Sequence, residues 1–321
     1  MDNFGEHDLS LKGKRVAVMG AARSGVAAAK LLLSQGAEVF LSDRDPSTEE
    51  TPEIAELVLS GVKTEFGRHS KRLLETDLIV VSPGVPQDAD TLLRASEKGV
   101  AVVSEVELAS RFTNLPVVAV TGSNGKTTTA TILAEMIRRG NYLPFLAGNI
   151  GVPFSSTVLG MLGKEPGNGI HVLEISSFQM EHIVHFRPRV VVLLNLTADH
   201  LDRYRSFEDY ARAKLRILEN MTGSDHVVYN RDDSFLSTRI ETDAVRVPFS
   251  LGDNPGGKFS VNQTKIYSDT QEVVAYLKDI PLPGKHNISN VLAAATASRI
   301  LTVPLEGISD VMHTFKGVPQ R

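Results

Sequence analysis

The stretch from Leu115 to Thr128, Leu-Pro-Val-Val-Ala-Val-Thr-Gly-Ser-Asn-Gly-Lys-Thr-Thr, constrains this chain more than any other. Val117–Val120 predicts a short buried strand and Gly122 and Gly125 a tight loop. Lys126 opens a helix whose apolar residues Ala130, Leu133, Met136 and Ile137 recur at helical spacing. A loop of that kind ahead of a helix N-terminus turns backbone N–H groups towards one point and suits an anion. The lysine then reaches outer phosphates, and a Thr hydroxyl can hold Mg²⁺. The chemical implication is a bound nucleoside triphosphate. The pattern is one glycine short, because G-x-x-x-x-G-K would need glycine where Val120 stands. A chance Gly-Lys-Thr is the alternative; the strand, the second glycine and the helix are the context that favours a phosphate loop.

Around that loop there is material for a large core, since 321 residues with 42% hydrophobic content predict about two domains. The absence of cysteine excludes disulfides, a thiolate nucleophile and a Cys-ligated metal. The first residues are acidic and polar, unlike a signal peptide, and no apolar run approaches the length of a membrane span. The expectation is a soluble, cytoplasmic protein with no membrane partner. A net charge of −4 argues against broad capture of a nucleic-acid polymer and suits small phosphorylated ligands held by local Lys, Arg and backbone N–H groups.

Read from its start, the chain alternates strands and helices. Arg15–Gly20 predicts a first strand, Ala21–Gly25 a turn, and an Ala- and Leu-rich helix follows to about Ser34. Ala37–Leu41 predicts a second strand ending in Ser42-Asp43-Arg44. This opens a Rossmann-like unit, yet G-x-G-x-x-G would require glycine at Ala22, so the fingerprint is incomplete. It leaves open an anion or nucleotide site of some kind, with NAD as one alternative. Glu53–Leu59 (helix), Leu78–Val81 (strand, into Ser82-Pro83-Gly84), Asp88–Lys98 (helix), Val100–Val103 (strand) and Glu105–Phe112 (helix) continue the alternation. Strand ends are where doubly wound sheets bind ligands, so Gly20–Gly25, Asp43-Arg44 and Ser82–Gly84 are expected on one edge; an ordinary turn is the other reading of Ser-Pro-Gly. Thr113–Pro116 marks a boundary.

Past the loop helix, Leu143–Leu146, Ile170–Leu173 and Val190–Leu194 predict strands. They end in Gly148-Asn-Ile-Gly151, Glu174-Ile-Ser-Ser-Phe-Gln179 and Asn195-Leu-Thr-Ala-Asp-His200. Lys258–Asn262, Lys265–Tyr267 and Glu272–Leu277 suggest hairpins, and helices follow around Ile288–Ala295 and from Leu305 to Phe315. The fold class is α/β: a Rossmann-like N-terminal domain followed by a P-loop-type mononucleotide-binding α/β central domain.

A triphosphate site needs a hard cation and oxygen ligands, which Thr127 and Glu174 are placed to supply. A solvent-facing strand-end carboxylate is the other reading of Glu174. His200, between Asp199 and Asp202, is open between a metal or phosphate contact and a structural histidine. His182 and His185 lack such a setting. Lys214 falls on the apolar stripe of a helix starting near Ser206, beside Tyr210, Ile217 and Leu218; from the residues alone it reads as a lysine whose stem is buried and whose ammonium snorkels to water.

Taken together the motifs resemble the Mur ligase family: Gly-Ala-Ala-Arg-Ser-Gly25, Ser-Pro-Gly84, Thr-Gly-Ser-Asn-Gly-Lys-Thr-Thr128, Gly-Asn-Ile-Gly151, Glu-Ile-Ser-Ser-Phe-Gln179, Asn-Leu-Thr-Ala-Asp-His200, Ala-Lys-Leu-Arg216 and His-Asn-Ile-Ser-Asn290. The Glu-x-Ser-Ser-Phe-Gln and Ala-Lys-Leu-Arg forms resemble the branch that joins D-glutamate to UDP-N-acetylmuramoyl-L-alanine at the expense of ATP. The resemblance implies that Gly20, Ala21, Ala22, Arg23, Ser24, Asp43, Arg44, Ser82, Pro83 and Gly84 meet the uridine diphosphate part of the substrate, and Asn149, Ser176 and Gln179 its muramoyl-peptide. It implies ATP contacts at Gly122, Ser123, Asn124, Gly125, Lys126, Thr127, Thr128 and Thr129, with Asn287 and Asn290 near adenine. It assigns Lys126, Glu174, His200 and Lys214 to catalysis and Thr127, Glu174, His200 and Lys214 to magnesium. The family's lysine matching Lys214 is carbamylated, which replaces a cation that repels the metal with an anion that attracts it.

Members of this family have three domains. The resemblance therefore divides the sequence into residues 1–114, 115–316 and 317–321, the last being the start of a linker to a further domain that binds the incoming amino acid. Arg321 matches an arginine there that contacts ATP, and Gln320 stands where a His is common. The expectation is a shortened monomeric chain that keeps substrate binding and has little or no ligase activity. A non-catalytic nucleotide-binding module and an NAD-dependent oxidoreductase are the competing readings.

Overall fold

The first apolar run has no polar face and folds accordingly. β1 (Arg15–Met19) is buried from Val16 onward, as suits the central strand of a parallel sheet covered on both sides. The chain continues through α1 (Arg23–Ser34), β2 (Glu38–Asp43), α2 (Pro52–Leu59), β3 (Lys63–Phe66), β4 (Leu78–Val81), α3 (Asp90–Glu97), β5 (Ala101–Ser104) and α4 (Glu105–Ser110). All five strands are parallel in the order β3-β2-β1-β4-β5. Strands added after β1 first go to one side and then to the other. The order therefore reverses between β1 and β4, and sheets of this kind bind ligands beyond the carboxyl ends of the strands at such a point.

A second sheet is built around β6 (Val117–Thr121), every residue of which is buried. It leads through the loop into α5 (Lys126–Arg139), β7 (Leu143–Gly148), α6 (Phe154–Met161), β8 (Gly169–Glu174), α7 (Ser177–Met180), β9 (Val190–Leu193), α8 (Phe207–Leu215), β10 (His226–Asn230), α9 (Leu236–Arg239) and β11 (Val245–Phe249). These six strands are parallel in the order β11-β10-β9-β6-β8-β7. The phosphate loop thus leaves the strand at which the order reverses. β12 (Phe259–Val261), β13 (Lys265–Ser268) and β14 (Val273–Tyr276) form a small antiparallel meander, followed by α10 (Lys285–Ile300) and α11 (Leu305–Thr314). Buried alanines at 293, 294, 295 and 297 lie around α10 rather than on one face, and the helix packs on α5 and also on β9, β10 and β11.

The computed structural model describes residues 10–149, 151–164, 166–199, 203–252 and 256–318. His200, Asp202, Gln320 and Arg321, all named above, lie outside them. Among the described residues no helix is long and apolar enough to cross a membrane. The chain forms two compact units: one is Met1–Asn114 with Gly151–Glu165 and Ser177–Phe186, the other Leu115–Ile150, Pro166–Ser176 and Arg187–Arg321. Thus α6, which packs on α1 and α4, belongs with the first sheet although it follows β7 in sequence. β3, β10, β11 and α6 carry no strong signal in the sequence. β3 is a half-exposed Lys-Thr-Glu-Phe edge strand without an apolar run, and β11 contains Pro248, which an edge strand tolerates because one side of it needs no partner.

Candidate functional site

At the end of β6 the Thr121 hydroxyl donates to the Ile175 carbonyl at 2.8 Å, holding the strand end in place. Gly125 has φ +86°, and a Cβ there would strike the amide of Asn290 on α10. Buried Asn290 therefore abuts the loop itself, whereas Asn287, one turn earlier, donates to the Pro283 carbonyl at 2.7 Å. From the segment just after β9, Asn195 clips the loop twice: Asn124 N–H donates to its Oδ1 at 2.9 Å and its Nδ2 donates to the Asn124 carbonyl at 3.0 Å. Ser123 Oγ donates to the Thr197 carbonyl at 2.9 Å and accepts from Thr197 N–H at 3.0 Å. Its one proton is thereby used, leaving Tyr210 as the donor in the 3.0 Å contact between the two hydroxyls. Thr129 is buried within α5, and its hydroxyl has no hydrogen-bond partner among the described residues.

Lys126 curls over its own loop, donating to the carbonyls of Gly122 at 2.9 Å and Ser123 at 2.8 Å. Burial holds its pKa below the usual lysine range, while the carboxylates of Glu174 and Asp199 pull the other way. Glu174, set opposite Val120 by the register of β8 on β6, is only 3% exposed. Its carboxylate accepts from Thr127 Oγ1 at 2.7 Å and from Asn149 Nδ2 at 2.8 Å. A solvent-facing carboxylate is not what forms.

Lys214 departs furthest from what its helix pattern suggests. Instead of snorkelling, it is 2% exposed, and its ammonium points inward to Thr121 Oγ1 and the Gly122 carbonyl, both at 3.2 Å, 5.1 Å from the Tyr210 ring centre. Burial first, and the Lys126 cation second, depress its pKa to about 7, with Asp199 and Glu174 opposing. α8 holds it there because Ser206 caps the helix, accepting from Asp209 N–H at 3.1 Å. Tyr210, whose own pKa is raised by burial, and Asn195 were visible in the sequence only as parts of a stripe and of a strand-end motif; their hold on the loop is a structural finding.

Among the described residues no cluster of three or more His, Asp or Glu surrounds a potential metal position. Thr127 and Glu174 are nonetheless adjacent oxygen donors beside a phosphate-type loop, a donor set that suits a hard cation such as Mg²⁺.

On the first sheet, Ser82 Oγ donates to the Gly20 carbonyl at 3.0 Å, joining the ends of β4 and β1. Asp43 binds backbone: Oδ2 accepts from Ala21 N–H at 2.5 Å and Oδ1 from Asp45 N–H at 2.9 Å. The acidic residue fixes the turn after β1. Ala22, Arg23, Arg44 and Gly84 are exposed around it, and Ser24 and Pro83 are half-buried. His69, for which the sequence gives no signal, lies with Nδ1 2.8 Å from Ser42 Oγ; burial and the Arg44 cation lower its pKa. Ser176 is half-buried and Gln179 almost fully buried.

Comparison with known proteins gives the family and the fold. The family described as Mur ligase MurD-like, N-terminal domain matches residues 14–104, and the Mur ligase middle domain matches residues 120–298. The UDP-N-acetylmuramoylalanine--D-glutamate ligase of Geobacillus sp. (strain WCH70) is 41% identical over 311 residues, covering 96% of this chain and 68% of that protein. The protein of the same name from Salinibacter ruber is 40% identical over 321 residues, again 96% and 68%. Among solved structures, UDP-N-acetylmuramate:L-alanyl-gamma-D-glutamyl-meso-diaminopimelate ligase from Neisseria meningitides matches with a TM-score of 0.64 at 20% identity, over 96% of this chain and 100% of that one. UDP-N-acetylmuramate-alanine ligase from Thermotoga maritima gives 0.56 at 23%, over 95% and 69%; both likenesses speak to the fold. With the two family domains matched in order and about two-fifths of its residues shared with relatives over nearly its whole length, the chain belongs to the Mur ligase family.

Proposed function

We propose that this chain carries the UDP-substrate and ATP sites of a ligase that joins D-glutamate to UDP-N-acetylmuramoyl-L-alanine in the synthesis of peptidoglycan precursors. The observation that carries the reading is the joint placement of Lys126, Thr127 and Glu174 at the phosphate loop, with buried Lys214 behind it. The substrate's terminal carboxylate attacks the γ-phosphate of ATP, ADP leaves, and an acyl phosphate results. The amine of D-glutamate then attacks the acyl carbon, and phosphate leaves as the amide forms. The protein supplies no nucleophile. It acts by position and charge: loop N–H groups and Lys126 hold the phosphates, while Asn195 and Tyr210 keep the loop in shape.

Thr127, Glu174, His200 and a carbamylated Lys214 would hold Mg²⁺, which offsets the charge on the transferring phosphoryl group. Carbamylation needs a neutral amine, and a lysine with a pKa of about 7 supplies one near neutrality. Its nitrogen bonds to CO₂ carbon and releases a proton, leaving a carboxylate. In the first unit Gly20, Ala21, Ala22, Arg23, Ser24, Asp43, Arg44 and Ser82–Gly84 would take the uridine diphosphate, with Asp43 shaping the turn. Asn149, Ser176 and Gln179 would meet the muramoyl-peptide, and Asn287 and Asn290 the adenine.

The test is titration with UDP-muramoyl-alanine and ATP beside an assay of phosphate release with D-glutamate: the chain is expected to bind both ligands and to release little or no phosphate, and failure to bind UDP-muramoyl-alanine would overturn the assignment. The UDP site gives its own prediction. A Cβ at Gly25 would run into the Gly20 carbonyl, so Gly25→Ala forces the turn after β1 open. It is expected to cost about 1–3 kcal/mol in thermal denaturation and to weaken UDP binding while ATP binding persists, as read by titration of each.

A further inference from the structure

Helix α4 holds two carboxylates that the chemistry above does not use. Glu105 is 1% exposed and Glu107 fully buried. Buried charge is tolerated only when its oxygens are well satisfied, and Glu107 meets that condition. Its Oε2 accepts from the N–H groups of Val184, His185 and Phe186 at 2.9, 2.9 and 2.8 Å. Its Oε1 is held by Arg111, through Nε at 2.9 Å and a terminal guanidinium nitrogen at 2.8 Å. Successive amides converging on one point make the kind of concavity that binds anions; here the chain provides the anion. Ser104, at the start of the same helix, donates its N–H to the His182 carbonyl at 2.8 Å. Glu105 grips another segment, accepting from Ser155 N–H at 2.5 Å in the first turn of α6.

Both gripped segments lie within the first unit, and both interrupt the sequence of the second. A buried ion pair is a poor way to gain stability, since apolar side chains of similar size serve as well or better. What a carboxylate adds is direction: it fixes backbone atoms at hydrogen-bond distance. The backbone fixed by Glu107 begins shortly after α7, on which Ser177 and Gln179 are both buried.

We infer that Glu107, oriented by Arg111, is a positioning residue for the muramoyl-peptide end of the substrate, because in fixing residues 184–186 it sets the place of Gln179. The inference rests on the proposed role of Gln179. The hydrogen bonds of the Glu107 carboxylate all stay within the first unit and none goes to the phosphate loop or to the turn after β1, so its effect separates from theirs.

Glu107→Gln keeps the side chain's size but removes the charge that three amides and Arg111 share. In the variant, affinity for UDP-muramoyl-alanine is expected to fall about tenfold, which is about 1.4 kcal/mol, while UDP and ATP each bind within about twofold of the wild type. Amide hydrogen exchange should quicken at residues 184–186 and stay unchanged in β6 and α5. Should Glu107→Gln not fold, Glu107→Asp retains the charge, withdraws it by one methylene, and is expected to give the same pattern at smaller size. Unchanged UDP-muramoyl-alanine affinity alongside faster exchange would overturn the inference. So would parallel weakening of UDP, ATP and UDP-muramoyl-alanine, the mark of a merely structural role. If the wild type binds UDP-muramoyl-alanine no more tightly than UDP, the proposed role of Gln179 fails and the inference with it; if it binds no uridine nucleotide at all, the functional reading itself fails.

Discussion

A Lys214→Met chain is expected to be more stable than the wild type at neutral pH, by about 1–4 kcal/mol, and to lose all response to CO₂. The wild-type ammonium is buried, faces the Lys126 cation, and has its pKa depressed from 10.5 to about 7. Between those values the unfolded chain binds a proton that the folded chain has released, so wild-type stability rises with pH across that window. Below about 7 both states are protonated, and the cost of the buried charge is felt in full. The advantage of methionine is therefore largest on the acid side of 7 and shrinks as pH approaches 10.5, which denaturant titrations across the range would show. A variant whose advantage grew with pH would contradict the placement of this group. Function moves the opposite way: bicarbonate should strengthen Mg²⁺-dependent ATP binding in the wild type and do nothing in Lys214→Met.

Lys126→Ala is expected to weaken ATP binding on the order of a hundredfold, comparable to removing one donor from a preorganised anion site, with UDP affinity unchanged. The lysine's bonds to the Gly122 and Ser123 carbonyls show that it already lies against the loop, so the loss is of a placed charge. A second effect follows from the repulsion between the two lysines. Without Lys126 the pKa of Lys214 should rise, moving the bicarbonate response to higher pH. Equal loss of UDP and ATP binding would instead point to a general failure of folding.

How much of this was legible in the sequence depends on what each residue's role requires. The phosphate loop was legible because its glycine, lysine and flanking apolar run are local, and the structure adds only that Asn195, Tyr210 and Asn290 shape it. The first sheet was legible from β1, β2, β4 and β5, whose apolar runs are continuous. β3 was not, since a half-exposed edge strand needs no such run. Lys214 misled for a physical reason: helical spacing gives the face a side chain occupies but not whether its end reaches water, and here the end meets Thr121 and Gly122. Asp43 had a readable position, but its bond to Ala21 N–H depends on how closely the ends of β1 and β2 approach. The grip of Glu107 on residues 184–186 joins positions 77 to 79 residues apart, and no pattern within either segment announces it.

A uridine-nucleotide site on the first sheet and an ATP site on the second together make a sharp expectation for calorimetric titration of this chain with UDP, UDP-muramoyl-alanine, ATP and NAD. Binding of UDP is expected, with tighter binding of UDP-muramoyl-alanine, Mg²⁺-dependent binding of ATP that Lys126→Ala weakens on the order of a hundredfold, and no binding of NAD. Binding of NAD without binding of any uridine nucleotide would contradict it.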